Sequence, residues 1–192
     1  PDGGIRLYQE HCNISIAIVM RRFVRIENLD TIKPFDCGDK VLNSFLKEDA
    51  RYFYDEFIAN TFVLEDDDET IAYFSLLNDK VSSATVPKNL WRKLRSELPH
   101  EKHFSSYPAV KIGRLAVAEG HQREHLGTIL IRSIREMLIR RASVGACRFI
   151  TVDALVSKRP FYEKNGFRLL QNEIPEDADT VLMYFDLKAF TE

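Results

Sequence analysis

The stretch "VKIGRLAVAEGHQREHLGTILI", from Val110 to Ile131, carries the strongest structural signal in the chain. An apolar run typical of a buried strand leads through a short polar turn into a helical pattern. The turn has Gly120 and Gly127 at its ends and His125 between them. A helix start offers unpaired N–H groups and partial positive charge, and glycine lets the backbone approach an anion. The stretch therefore predicts a phosphate or pyrophosphate site, with a purely structural turn as the alternative.

Two well-known phosphate-binding patterns are absent from this turn. It contains neither the G-x-x-x-x-G-K-[ST] sequence of a P-loop nor the G-x-G-x-x-G sequence of a dinucleotide-binding fold. The charge distribution nevertheless favours an anionic ligand here. Residues 36–79 contain twelve acidic and three basic side chains, whereas residues 111–168 contain twelve basic and five acidic ones. A basic segment in a chain of net charge −2 predicts a local anionic ligand, with a solvated helix face as the alternative.

Length and composition are those of one ordinary globular domain. The 192 residues are 45% hydrophobic and 29% charged, and no apolar run approaches the roughly 20 residues of a membrane span. Three scattered cysteines do not form a disulfide framework, which favours a reducing, cytoplasmic location. Residues 20–192 are interpreted as one domain. Residues 1–19 add no motif and are interpreted as an extension of uncertain status, with an extra strand or a dimer arm as alternatives.

Strand and helix patterns alternate along the chain. The predicted strands cover residues 21–26, 61–65, 70–77, 109–117, 147–155 and 180–187. The predicted helices cover residues 35–57, 86–98, 126–142 and 157–167. Asp36 is the expected N-cap of the first helix, and Asn165-Gly166 is a typical helix end. The acidic run at residues 66–69 is interpreted as a solvated hairpin tip.

One apolar face is expected on the first helix, and another on the helix that follows the turn. The residues of the first face are Val41, Leu42, Phe45, Leu46, Ala50, Phe53, Tyr54 and Phe57. Those of the second are Leu126, Leu130, Ile134 and Leu138, with Ile129 and Met137 beside them. Both sets recur at the spacing of one helix face, so both helices are expected to pack on the sheet.

Three motifs together resemble the GNAT family of N-acetyltransferases. They are "GRLAV", the turn pattern formed by Gln122, His125 and Gly127, and the later "FYEKNGF", at distances similar to those in that family. The resemblance implies an α/β GNAT fold. In such a fold a mixed, mostly antiparallel sheet has two splayed central strands and is flanked by helices.

The resemblance also implies acetyl-CoA as cosubstrate. It places the pyrophosphate on the backbone of the turn, at Gln122, Arg123, His125, Leu126, Gly127 and Thr128. It places the pantetheine arm along Leu115, Ala116 and Val117. Basic side chains flank the expected groove and are candidates for the 3′-phosphate of CoA; these are Arg123, Lys158, Arg159 and Lys164. No metal site is expected. A polar loop is the preferred interpretation of His100, Glu101 and His103, and a metal site there is the alternative.

Tyr162 in "FYEKNGF" matches the tyrosine that resembling enzymes use as general acid. A phenol has a pKa of about 10 and a thiol one of about 8.5, so a neutral tyrosine can protonate a departing thiolate. The alternative is a core tyrosine. A backbone N–H near Val117 is expected to polarise the thioester carbonyl, and no side chain stands out as general base. Ser75 is either on the acceptor side of the sheet or a neutral strand residue.

His125 departs from the family pattern, which has a glycine at this position of the turn. Histidine tolerates positive φ better than most residues but less well than glycine. Two interpretations stay open. Either the ring points outward without a role, which we favour, or it donates a hydrogen bond to a phosphate oxygen.

The resemblance implies a primary amine as acceptor and does not identify it. A narrower resemblance links "FDCGDKVLNSFLKEDA" and "TFVLEDDDETIAYFSL" to bacterial GNAT toxins of toxin–antitoxin pairs, which acetylate aminoacyl-tRNA. That resemblance adds charged tRNA and an antitoxin as candidate partners, and a dimer arm at residues 1–19 would make a second copy of the chain a further one. The lack of an overall basic excess weighs against tRNA. A non-catalytic acyl-CoA-binding module is a further alternative.

Overall fold

The structure, a computed structural model, describes residues 22–26, 32–98, 104–142 and 145–190. Seven strands form one sheet in the order β1-β2-β3-β4-β5-β7-β6. Their bounds are Arg22–Arg25 (β1), Asn60–Glu65 (β2), Thr70–Ser82 (β3), Ser106–Val117 (β4), Phe149–Leu155 (β5), Arg168–Leu169 (β6) and Thr180–Asp186 (β7). All neighbouring pairs are antiparallel except β4 and β5, which are parallel. The mixed, mostly antiparallel sheet is thereby confirmed, whereas residues 1–19, His100, Glu101 and His103 lie outside the described residues.

Helices cover both faces of the sheet. Their bounds are Lys40–Ser44 (α1), Ala50–Asp55 (α2), Lys88–Ser96 (α3), Leu126–Arg140 (α4) and Arg159–Lys164 (α5). A π-helical turn, Phe45–Asp49, joins α1 to α2. All four predicted helical regions are confirmed, and the helix end at Asn165-Gly166 is confirmed by a φ of +81° at Gly166. The two-residue strand β6 has no counterpart in the predicted pattern, because so short an element leaves no periodicity to detect.

The first helix begins later than the sequence predicts, and Asp36 is not its N-cap. Asp39 is the N-cap, since its Oδ1 accepts the N–H groups of Val41 at 2.9 Å and Leu42 at 3.1 Å. Asp36 instead accepts the N–H of Gly38 at 2.9 Å. Gly38 has a φ of +80°, a conformation that a helix interior excludes, so the helix starts beyond it.

The predicted apolar face of the first helix is wrong at both ends. Val41 is 70% exposed and Phe57 is 96% exposed, whereas Phe45, Leu46 and Ala50 are buried. The π-helical turn breaks the 3.6-residue period on which that face was built. Phe57 lies beyond the end of α2 with a φ of +56°, so it does not continue the helical stripe.

The core is split between the two faces of the sheet. On one face α4 and α5 pack over the sheet, and Leu126, Leu130 and Ile134 are buried there as the stripe on α4 predicts. On the other face α1, the π turn and α2 cover a second cluster around Tyr73 and Phe45. A third cluster lies beneath α3. Burial of each Leu or Ile side chain in these clusters contributes about 1.5–3 kcal/mol to the stability of the fold relative to an exposed side chain.

Candidate active site

The central strands β4 and β5 part halfway along their length. They pair only from Ala109 to Lys111 on β4, opposite Phe149 to Thr151 on β5. Beyond that point β4 continues along β3, and β5 continues along β7. A bulge accompanies the separation, since Ser75 pairs with Arg114 and Leu76 with Ile112, which leaves Gly113 without a partner on β3. A bulge bends its strand and increases the twist, which accounts for a gap between β4 and β5 that begins at Ile112.

The residues predicted to hold the pantetheine arm border this gap. Leu115, Ala116 and Val117 pair with β3 on one side, and none of them pairs with β5. Their backbone therefore faces the gap with hydrogen-bonding groups that an extended ligand could use. Leu115 and Val117 pack towards the α4 face, whereas Ala116 packs towards the α1 face.

The turn after β4 has a left-handed backbone at two places. Arg123 has a φ of +70°, and His125, the N-cap of α4, has a φ of +60° without capping through its side chain. His125 is exposed, and its carbonyl accepts the N–H groups of Thr128 and Ile129 at 3.0 and 3.2 Å. The N–H groups in the first turn of a helix are the ones that have no partner within the helix. This geometry suits an anion, and whether the His125 ring contributes stays a prediction.

The two glycines that frame the predicted turn have different surroundings. A Cβ on Gly127 would lie 3.0 Å from the ring of Phe161, so this glycine lets α5 approach α4 closely. A Cβ on Gly120 would meet nothing within 4 Å. The packing of α5 therefore explains Gly127 at least as well as a ligand does.

The side chain of Gln122 connects the turn to neighbouring segments through hydrogen bonds. Its side-chain Nε2 donates to the carbonyls of Cys37 and Val117, at 3.1 Å each. The N–H of Glu119 also donates to the carbonyl of Asp36 at 2.9 Å. The side chain of Gln122 is therefore engaged by the protein, and its assignment to the pyrophosphate concerns the backbone.

His121 joins the turn to the acidic hairpin tip. Its Nε2 lies 2.7 Å from Glu69 Oε1, and its Nδ1 lies 3.5 Å from Glu124 Oε2. The hydrogen bond with Glu69, supported by Glu124, raises the pKa of His121. Glu69 thus ties the β2–β3 hairpin to the turn, while its side chain is still 46% exposed, as expected for a solvated tip.

Tyr162 is buried in α5, and its ring lies between two phenylalanines. The ring centroids of Phe161 and Phe167 are 5.1 and 5.3 Å away, both in edge-on arrangements. Burial raises the pKa of the Tyr162 phenol to about 12, so the proton is retained at neutral pH. Arg135 on α4 donates to the carbonyl of Asn165 at the end of α5 and thereby holds the helix that carries Tyr162.

The four predicted basic side chains differ in their exposure and in their partners. Arg123, Lys158 and Lys164 are exposed. Arg159 is engaged with Glu163, with 2.7 Å between its Nε and Oε1. Exposed cationic side chains can bind a phosphate, and the assignment of these residues to the 3′-phosphate stays a prediction.

A cavity of about 330 Å³ lies on the face of the sheet covered by α1 and α2. Ser75 lies in its lining with buried Phe45 from the π turn and Ile112 from β4, and its place on the acceptor side stays a prediction. Ile112 also belongs to the apolar cluster that contains Tyr162 on the opposite face. Since the gap between β4 and β5 begins at Ile112, the cavity and Tyr162 approach the gap from opposite sides.

Within the described part of the chain, no cluster of three or more His, Cys, Asp or Glu residues could hold a metal ion. The same residues include no helix that is both long and apolar enough to cross a membrane.

Comparison with known proteins identifies one family and several relatives. The sequence profile of the acetyltransferase (GNAT) domain matches residues 58–169. A tRNA-acetylating toxin of Mycobacterium tuberculosis (strain ATCC 25618 / H37Rv) is 25% identical over 146 residues, which cover 76% of this chain and 82% of the relative.

Solved structures of similar fold include those of KacT and AtaT. A Tyr-to-Phe mutant of KacT superposes with a TM-score of 0.71 at 21% identity and covers 90% of this chain and 98% of its own. AtaT complexed with acetyl-methionyl-tRNAfMet superposes with a TM-score of 0.70 at 20% identity, covering 89% of this chain and 97% of its own. At these identities the likeness establishes the fold.

Proposed function

Since the chain belongs to the GNAT acetyltransferase family, whose profile spans more than half of it, we propose that it acetylates the α-amino group of aminoacyl-tRNA. Membership makes the chain an acetyl-CoA-dependent N-acetyltransferase. The choice of acceptor is the proposed part. It is supported by the similarity to the tRNA-acetylating toxin, which extends over 76% of the chain.

The observation that carries the proposal is the gap between β4 and β5 with a different group on each side. Tyr162 lies on the α4 and α5 face, and the cavity beside Ser75 lies on the α1 and α2 face. An acyl donor threaded through the gap would meet an amine from the cavity on one side and a proton donor on the other. That arrangement lets the amine attack the thioester carbon from one side while the proton donor reaches the departing sulfur from the other.

Acetyl-CoA fits the residues that surround the gap. The unpaired edge of Leu115–Val117 suits the amide groups of the pantetheine arm, and the start of α4 suits the pyrophosphate. When bound, acetyl-CoA supplies a thioester carbonyl to the amine. The exposed Lys158 and Lys164 are candidates for the 3′-phosphate.

Tyr162 is proposed to be the general acid. The neutral amine forms a C–N bond with the thioester carbon, the C–S bond breaks, and the phenol of Tyr162 gives its proton to the sulfur. The amine's surplus proton leaves to water, and Tyr162 regains its proton from solvent. Because burial raises the pKa of this phenol to about 12, the proton is in place throughout the physiological range.

The overall net charge of −2 does not favour RNA, but the charge is segregated. Residues 111–168 carry a surplus of seven positive charges, and this segment includes most of β4 and all of α4 and α5. RNA phosphates are attracted by local basic surface rather than by the average over a chain. Toxicity to a host cell and control by an antitoxin follow from the proposal as further expectations.

Incubation with labelled acetyl-CoA and either charged or uncharged tRNA tests the proposal. We expect label on charged tRNA only, in a form released as an N-acetyl amino acid when the ester is hydrolysed. Label on small amines or protein lysines, with none on charged tRNA, would favour the general acetyltransferase. Binding of acetyl-CoA without transfer to any amine would favour the non-catalytic module.

A further inference from the structure

We infer that the cavity beside the gap holds the side chain of the acceptor's amino acid, and that the preferred acceptor carries an uncharged, apolar side chain. This inference rests on the proposed transfer to aminoacyl-tRNA and names the class of aminoacyl group. It is carried by the lining of the cavity, by the state of the charges around it and by its position at the gap.

The walls of the cavity are mostly apolar. They include Phe45, Phe53, Ala59, Leu77 and Ile112, contributed by the π turn, α2, the segment before β2, β3 and β4. An apolar cavity of about 150 Å³ is large enough for benzene, and ligand sites start at about 300 Å³. The volume of about 330 Å³ therefore accommodates a side chain the size of leucine, methionine or phenylalanine together with the amino group.

Charged groups at the cavity already have partners. Lys111 Nζ lies 2.8 Å from Asp153 Oδ2 and 3.9 Å from Asp79 Oδ2. Asp79 also accepts a hydrogen bond from Thr151. A lysine side chain or a polyamine would have to displace Lys111 from these carboxylates, and an uncompensated charge in an apolar cavity is costly. Basic acceptors are therefore disfavoured.

Arg114 is the group that an acidic acceptor would need. Its guanidinium carbon lies 5.0 Å from the centroid of the Phe45 ring, and its Nη1 donates to the Gly113 carbonyl at 2.7 Å. The guanidinium is thus stacked against the wall and oriented by the backbone. Its other N–H groups could still bind a carboxylate without loss of either contact, and this makes an acidic side chain the sharpest competitor to test.

Leu77 controls the width of the cavity. It is half-buried on β3, and a Cβ placed on Gly113 of the neighbouring bulge would lie only 2.8 Å from its Cδ2. The glycine at the bulge therefore gives Leu77 room beside the cavity. A larger side chain at position 77 should narrow the cavity, and a smaller one should widen it.

The experiment uses one tRNA body charged in turn with leucine, methionine, phenylalanine, glycine, lysine or glutamate, so that only the side chain differs. Wild-type kcat/KM should be at least about 10-fold higher for the three apolar acceptors, since small differences in an apolar pocket are worth about 10–200-fold. Leu77→Trp should lower transfer to the apolar acceptors by about 10-fold or more and spare glycine. Leu77→Ala should shift the preference towards phenylalanine.

Leu90→Trp is the matched control, because Leu90 is half-buried on α3 and packs in the third cluster. It should leave all six rates within about 2-fold of wild type. The inference would be overturned by equal wild-type rates for all six acceptors, or by a preference for lysine or glutamate. It would also be overturned if Leu77→Trp slowed all acceptors equally and Leu77→Ala did not shift the preference.

Free amino-acid amides separate this inference from the proposed function. Transfer to leucine and methionine amides but to no charged tRNA would refute the tRNA proposal and support the apolar cavity. Transfer to charged tRNA at rates that do not depend on the side chain would support the tRNA proposal and refute the apolar cavity.

Discussion

Replacing Tyr162 with phenylalanine removes the proposed general acid and little else. The ring keeps its edge-on contacts with Phe161 and Phe167. Among the described residues, the Tyr162 hydroxyl makes no hydrogen bond, so its removal leaves no buried polar group without a partner. We therefore expect the melting temperature of Tyr162→Phe to stay within about 2 °C of wild type.

The expected loss is in the chemical step. A positioned general acid is worth about 10²–10⁴-fold in rate. At about 1.36 kcal/mol per decade, this corresponds to roughly 2.7–5.4 kcal/mol of barrier. Because burial raises the pKa of this phenol to about 12, the wild-type rate should not lose this contribution between pH 7 and pH 10. The variant should therefore be slower by a similar factor across that range.

Single-turnover transfer from labelled acetyl-CoA at saturating acceptor measures this step directly. The dissociation constant of acetyl-CoA, measured by calorimetry, should change by less than about 2-fold. Tyr184→Phe is the matched control, because Tyr184 is also buried but lies in the cluster beneath α3. A Tyr162→Phe enzyme that turns over at the wild-type rate would refute the assignment, and so would an equal loss in Tyr184→Phe.

Three further predictions concern the turn and the groove. His125→Gly should bind acetyl-CoA equally well or more tightly, because glycine adopts the observed φ of +60° without strain. If calorimetry instead shows that the variant loses affinity, and more so at pH 6 than at pH 8, the ring binds phosphate. CoA should bind more tightly than dephospho-CoA, and Lys158→Ala with Lys164→Ala should reduce the difference; equal affinities across a salt series would leave these lysines as surface charges. Since Glu69 raises the pKa of His121, wild type should melt about 1–3 °C above His121→Gln below pH 6, and this difference should vanish as the pH rises through the raised pKa. A constant difference from pH 5 to pH 9 would contradict that ion pair.

Long, periodic elements could be predicted from the sequence because their burial repeats at a fixed interval. The stripe of Leu126, Leu130 and Ile134 identifies α4 and its buried face directly. The π turn at Phe45–Asp49 could not be predicted, because one extra residue per turn leaves no composition signature and shifts the apolar period. The N-cap at Asp39 could not be predicted either, because it depends on the positive φ of Gly38, which keeps Asp36 outside the helix.

Contacts between distant segments account for what the sequence could not predict about the site. Gln122 reaches Cys37 across 85 positions, and His121 reaches Glu69 across 52, so neither contact has a local pattern. Tyr162, by contrast, lies in a compact motif whose helix ends at Gly166, and its burial follows from the flanking phenylalanines. The cavity beside Ser75 requires four strands and two helical segments to come together, which no single stretch reveals.

The most direct test of the central claim is the fate of the acetyl group when purified protein is given labelled acetyl-CoA and charged tRNA. After hydrolysis of the ester, mass spectrometry should find the acetyl group on the α-amino nitrogen of the released amino acid, and Tyr162→Phe should reduce this product by about 10²-fold or more. An acetyl group found only on free amines or protein lysines, or left entirely on CoA, would contradict the account.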